Sequence, residues 1–96
     1  MSASLLSRIA TDEEQARAIN VATAYCSARH VRSRSVVRNK RDPEWGGPLQ
    51  SVLMVYLADA PQGDWYDFIV ELAAALQDAG LSGSDGPIFP DLIPEW

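Results

Sequence analysis

Cysteine and histidine are almost missing from this sequence, with one of each (Cys26 and His30), and beyond Arg41 there is no lysine or arginine at all. A single cysteine excludes an internal disulfide and removes any pointer to an oxidising compartment. Zinc sites need three or four converging ligands, so one thiol and one imidazole leave a metal centre short. Cys26 and His30 stand at i and i+4, a spacing able to hold half a metal site or a thiol–imidazole pair. The plainer reading is a buried small thiol and a histidine at a helix end, where a cation is favoured. No metal and no other cofactor is expected.

Long apolar runs are also lacking. The longest, Val52 to Ala58, falls far short of the roughly 18 residues that cross a bilayer. Arg8 is the one cation near the start, so neither a membrane span nor a signal peptide is expected, and a cytoplasmic location follows. There is no Walker sequence, nucleophile elbow or His-Glu-x-x-His motif. Gly80, Gly83 and Gly86 follow a helix, whereas phosphate-binding glycines lie between a strand and a helix N-terminus. No catalytic residue can be assigned, and the chain is expected not to be an enzyme.

What is there fits one small α+β domain over residues 1–96, with 47% hydrophobic residues, enough for a modest core. Residues 1–10 are expected to be an N-terminal arm. Thr11 and Glu14 form a capping-box pair. Ala18, Ile19, Ala22, Tyr25 and Cys26 then recur at helical spacing, which predicts a helix over 12–29. From Val31 to Arg38 the period becomes two, with Val31, Ser33, Ser35 and Val37 on one side and Arg32, Arg34, Val36 and Arg38 on the other. This reads as a half-exposed strand. Val52 to Leu57 is apolar at every position, as in a strand covered on both faces. The two strands predict an antiparallel hairpin with a long loop.

Asp64 is an N-cap candidate for a second helix. Trp65, Phe68, Ile69, Leu72, Ala75, Leu76 and Ala79 form its apolar face, and Gly80 stops it. Residues 81–96 hold Pro87, Pro90 and Pro94 and suit no regular element. Ile88, Phe89, Leu92, Ile93 and Trp96 nevertheless call for an extended tail packed on the domain. The expected layout is helix-strand-strand-helix with a Pro-rich C-terminal tail. Two strands make an inadequate sheet, so a homodimer formed along a free edge is a further expectation.

Charge is distributed unevenly. Residues 1–41 carry all eight cations and three acids, a net of +5, while the remainder carries ten acids and no cation, a net of −10. Either an electrostatic partner or mutual neutralisation inside the fold would account for this. On the second helix, at about 100° per residue, Asp64, Asp67, Glu71 and Asp78 fall within a sector of roughly 60°. They lie beside Tyr66 and Val70, which should be exposed, and no cation is interspersed. Tyr56, in the central strand, is expected in the core. Trp45, in a Glu-Trp-Gly-Gly-Pro loop, and Trp96 stand where exposed aromatics could anchor an interface.

The expected function is therefore a protein-interaction module. Its partner-binding residues would be Asp64, Tyr66, Asp67, Glu71, Asp78, Trp45 and Trp96, facing a protein with a basic surface. In size and charge it resembles small acidic inhibitors such as toxin-immunity and phage anti-defence proteins, and no motif points to a family. An alternative is nucleic-acid binding by Arg29, Arg32, Arg34, Arg38, Lys40 and Arg41, six cations within thirteen residues and no acid. Arginine suits phosphate contacts, but the acidic pI of about 4.6 argues against it. A third reading is an enzyme or ligand-binding site assembled between subunits.

Overall fold

The computed structural model describes residues 9–42, 44, 46–83 and 86–96. The elements are α1 (Asp12–Ala28), β1 (Ser33–Asp42), β2 (Gly46–Leu57), α2 (Trp65–Asp78) and β3 (Ile88–Pro94). β1 pairs antiparallel with β2 and β3 pairs parallel with it, in sheet order β1-β2-β3. Both helices pack on one face of the sheet, α1 chiefly against β1 and α2. The result is a two-layer α+β domain.

The helices begin and end where their local chemistry dictates. At the start of α1, the Thr11 side chain accepts from the Glu14 amide (3.1 Å) while Glu14 accepts from the Thr11 amide (2.9 Å), closing the capping box. At its end, His30 donates to the Ser27 carbonyl and Val31 to the Cys26 carbonyl, a Schellman motif. The left-handed position that usually takes glycine is held by His30 (φ 59°). In α2, Asp64 accepts from the Tyr66 amide (2.7 Å). Gly80 (φ 74°) and Leu81 close it with the same motif, bonding to Gln77 and Leu76. The residues that follow each left-handed position, Val31 and Leu81, are both buried.

The core forms between the layers. Leu53, Val55 and Leu57 on β2 meet Phe68, Leu72 and Leu76 of α2 and Ala18, Ala22, Tyr25 and Cys26 of α1. Small residues on α1 let it approach Ser33, Ser35 and Val37 of β1 closely. The Cys26 thiol hydrogen-bonds Ser33, and burial raises its pKa. Buried Ser51 accepts from the Ala10 amide (2.7 Å) and donates to Asn39 Oδ1 (2.8 Å), tying the start of α1 to the sheet.

Three expectations need correction. The C-terminal segment is a strand, not an irregular tail, so the sheet has three strands and the layout is helix-strand-strand-helix-strand. Its prolines are tolerated because β3 is an edge strand. Glu95 donates its N–H to the Leu57 carbonyl, so by alternation the outward backbone positions include Pro90 and Pro94, which have no N–H to leave unpaired. Second, the strands replace the expected long loop, running on to Asp42 and resuming at Gly46. Third, among the described residues the helices cover β2 on one face only. Leu53, Val55 and Leu57 lie under the helices, while Val52, Met54 and Tyr56 face away from them; Val52 is still buried, but Met54 and Tyr56 are half-buried, which takes Tyr56 out of the core. An apolar run suits a central strand in either case, so its pattern cannot reveal a missing layer. With β3 in place, the incomplete-sheet argument for a homodimer falls away.

Candidate functional site

Two surfaces stand out, one on each layer. On the helix layer, the outward side of α2 presents Tyr66, 70% exposed, and Val70, 46% exposed, one turn apart. Asp64, Asp67, Glu71 and Asp78 are all exposed alongside them. The four carboxylates are not equivalent. Asp64 caps its own helix. Glu71 pairs with Arg29 (3.0 Å). Asp67 and Asp78 take part in no ion pair among the described residues.

An open cleft of about 410 Å³ lies between the end of α1 and the start of α2, lined by Arg29, His30, Gly63, Asp64, Asp67 and Glu71 among others. Its floor is rigid. The Tyr25 hydroxyl donates to the Phe68 carbonyl (2.9 Å), and the two rings meet edge to face at 5.0 Å. The Arg29 guanidinium lies 3.7 Å from the centre of the Tyr25 ring. Burial of the phenol raises the Tyr25 pKa, against the pull of Arg29. The aromatic contacts continue outward, because Trp65 stacks on Phe68 (6.3 Å) and meets Trp96 edge to face (5.6 Å). Trp65 is 37% exposed and Trp96 58%, so Trp65 stands at the rim and not in the core, where helical spacing had put it. Trp45, the remaining aromatic candidate, lies outside the described residues.

The arginine segment is divided. Arg29 is committed to α2. Arg32 binds Asp59 with both its backbone N–H (3.0 Å) and its guanidinium (2.9 and 2.8 Å). These bonds hold the Asp59 carboxyl down at about 2. Arg34 pairs with Glu95 (3.6 Å) and lies 4.3 Å from the centre of the Tyr56 ring. Each of these pairs joins a cation of the first half of the chain to an acid of the second, so the uneven sequence charge is partly neutralised in the fold. All three lie at the surface, where solvent screens them, and contribute little stability. Arg38, Lys40 and Arg41 are exposed.

The second surface is the sheet face turned away from the helices. Register places its side chains in three rows across the strands: Arg38, Val52 and Phe89, then Val36, Met54 and Asp91, then Arg34, Tyr56 and Ile93. Phe89 is 60% exposed. Sequence reading missed this face because its third column comes from the segment taken as a tail. The alternation of Phe89, Asp91 and Ile93 was the available signal, obscured by the intervening prolines.

Cys26 is fully buried, and His30 lies past the helix end with a left-handed backbone, so the two do not share a helix face. Among the described residues no group of three potential metal ligands comes together, and no helix is long and apolar enough to cross a membrane. No protein-family model matches the chain, and no curated protein or solved structure matches it significantly.

Proposed function

We propose that this chain is a non-enzymatic interaction module, of the small acidic inhibitor type, that docks a basic protein surface through the outward side of α2. The observation that carries this reading is the pairing of exposed Tyr66 and Val70 with Asp67 and Asp78, carboxylates that meet no cation among the described residues. An apolar ridge supplies area to bury, and flanking charge selects and steers a partner of opposite sign. The adjoining cleft, with Asp64 and Asp67 on its wall beside the Arg29–Glu71 pair, suits the end of a lysine or arginine side chain from that partner. Nucleic-acid binding by residues 29–41 is less favoured, because Arg29, Arg32 and Arg34 are already paired with carboxylates.

Capture of a partner from an extract of the source cell, with and without nuclease, followed by titration with variants, tests the proposal. Asp67→Lys with Asp78→Lys should leave thermal stability within about 0.5 kcal/mol of wild type, as expected for exposed sites. The same pair should weaken a nuclease-resistant complex at least tenfold, with the association rate falling first. Glu71→Lys is a poorer probe because it also breaks the Arg29 pair. Undiminished binding by the folded double variant, or a bound species that vanishes with nuclease, would overturn the reading.

A further inference from the structure

We propose that the open face of the sheet is a homodimer interface, on which a second copy of this chain packs face to face about a two-fold axis parallel to β2. The inference stands apart from the docking role given to α2, since it concerns the opposite layer.

Among the described residues the middle of this face is apolar: Val52, Met54 and Tyr56 run down it, Val52 already buried and Met54 and Tyr56 half-buried, and Phe89 stands 60% exposed at its side. From the strand spacing of about 4.8 Å and a rise of about 3.3 Å per residue, the three strands span roughly 14 by 23 Å. Two such faces with their rims would bury on the order of 1,000 Å², the size of weak, reversible interfaces.

The identity of the occupant follows from charge. The β1 side of the face is basic, with Arg38 and with Arg34, which also pairs with Glu95 of its own chain, and the β3 side carries Asp91. Asp91 stands level with Val36, midway between the two arginines along the strand direction. A two-fold axis parallel to β2 lays β1 of one copy over β3 of the other and keeps the levels. Asp91 of each protomer then meets the gap between the other's Arg34 and Arg38, Arg38 comes over the Phe89 ring, and Met54 meets Met54.

The competing arrangements lose on the same charges. An in-plane axis perpendicular to the strands sets Arg38 against Arg34 and Asp91 against Asp91. Continuing the sheet from β1 to β1 places cations beside cations on the open face. Continuing it from β3 meets Pro90 and Pro94, which offer no N–H at that edge. The face-to-face arrangement about the β2 direction alone brings opposite charges together.

Sedimentation velocity on the full chain from about 5 to 500 µM should show a weak, reversible monomer–dimer equilibrium. Phe89→Ser and Asp91→Arg should each weaken it at least tenfold with the circular dichroism of the fold retained. Asp91→Arg combined with Arg38→Asp, which exchanges the two signs, should restore it. If either substitution impairs folding, Met54→Cys provides an independent reading, because native Cys26 is buried. Under mild oxidation Met54→Cys should form a disulfide-linked dimer and Val36→Cys should not. A wild-type chain that stays monomeric at about 500 µM would overturn the proposal. So would a dimer indifferent to Phe89 and Asp91, preferential crosslinking through Val36→Cys, or a monomer that binds a single-stranded oligonucleotide on this face.

Discussion

Gly86 reads in the sequence as one more turn residue, yet the packing around it makes Gly86→Ala the most informative single substitution. A Cβ added there would collide with the Leu81 carbonyl carbon and lie 2.6 Å from both the Gly80 oxygen and the Leu81 Cα. All three are backbone atoms in the turn that closes α2, so no side chain can swing aside. The chain must separate β3 from that turn, straining the bond from the Ile88 amide to the Leu81 carbonyl (2.8 Å). Overpacking of this kind costs about 1–3 kcal/mol. Full release of β3 would cost more, since burial of Ile88 and Leu92 contributes up to about 1.5–3 kcal/mol each, so a strained but folded domain is expected. At about 4–8 °C per kcal/mol for a domain of this size, the melting temperature should fall by roughly 8–16 °C for a 2 kcal/mol loss. Gly80→Ala is the control, because its Cβ meets nothing within 4 Å and the penalty arises only from φ +74°, about 1 kcal/mol. Thermal and urea denaturation of the two variants decide the matter. A Gly86→Ala domain as stable as wild type, or more stable than Gly80→Ala, would refute the close approach of β3 to the turn.

Two further outcomes follow from local chemistry. His30→Gly should raise stability by about 0.5 kcal/mol, since glycine adopts the left-handed Schellman position without a Cβ penalty that outweighs its entropic cost when unfolded; a lower melting temperature would show that the imidazole makes a compensating contact. Asp59, whose carboxyl is lowered from 3.8 to about 2 by Arg32, contributes stability that is fully present above pH 4 and lost as pH falls toward 2; acid titration of Asp59→Asn should lose that component of the decline, and an unchanged profile would mean the Arg32 bonds persist in the unfolded chain.

The helices were legible because their signals are local. The Thr11–Glu14 box, the Asp64 cap, the Gly80 stop and the three-and-four spacing of apolar residues act within a few residues of one another. The period-two pattern of β1 likewise placed Arg34 and Arg38 on one side and Ser33, Ser35 and Val37 on the other. The exposed Tyr66 and Val70 of α2 could be read from the same helical spacing. The third strand was not legible, since prolines at 90 and 94 argue against a strand until their amide positions are known to face outward at a sheet edge. Which carboxylate each arginine meets depends on parts of the chain far apart in sequence, so Arg29–Glu71, Arg32–Asp59 and Arg34–Glu95 could only emerge from the packed fold. The fate of Val52, Met54 and Tyr56 was decided in the same way. Apolar residues on both faces of a strand state what the chain can bury, and only the number of layers that actually assemble determines which face is left open.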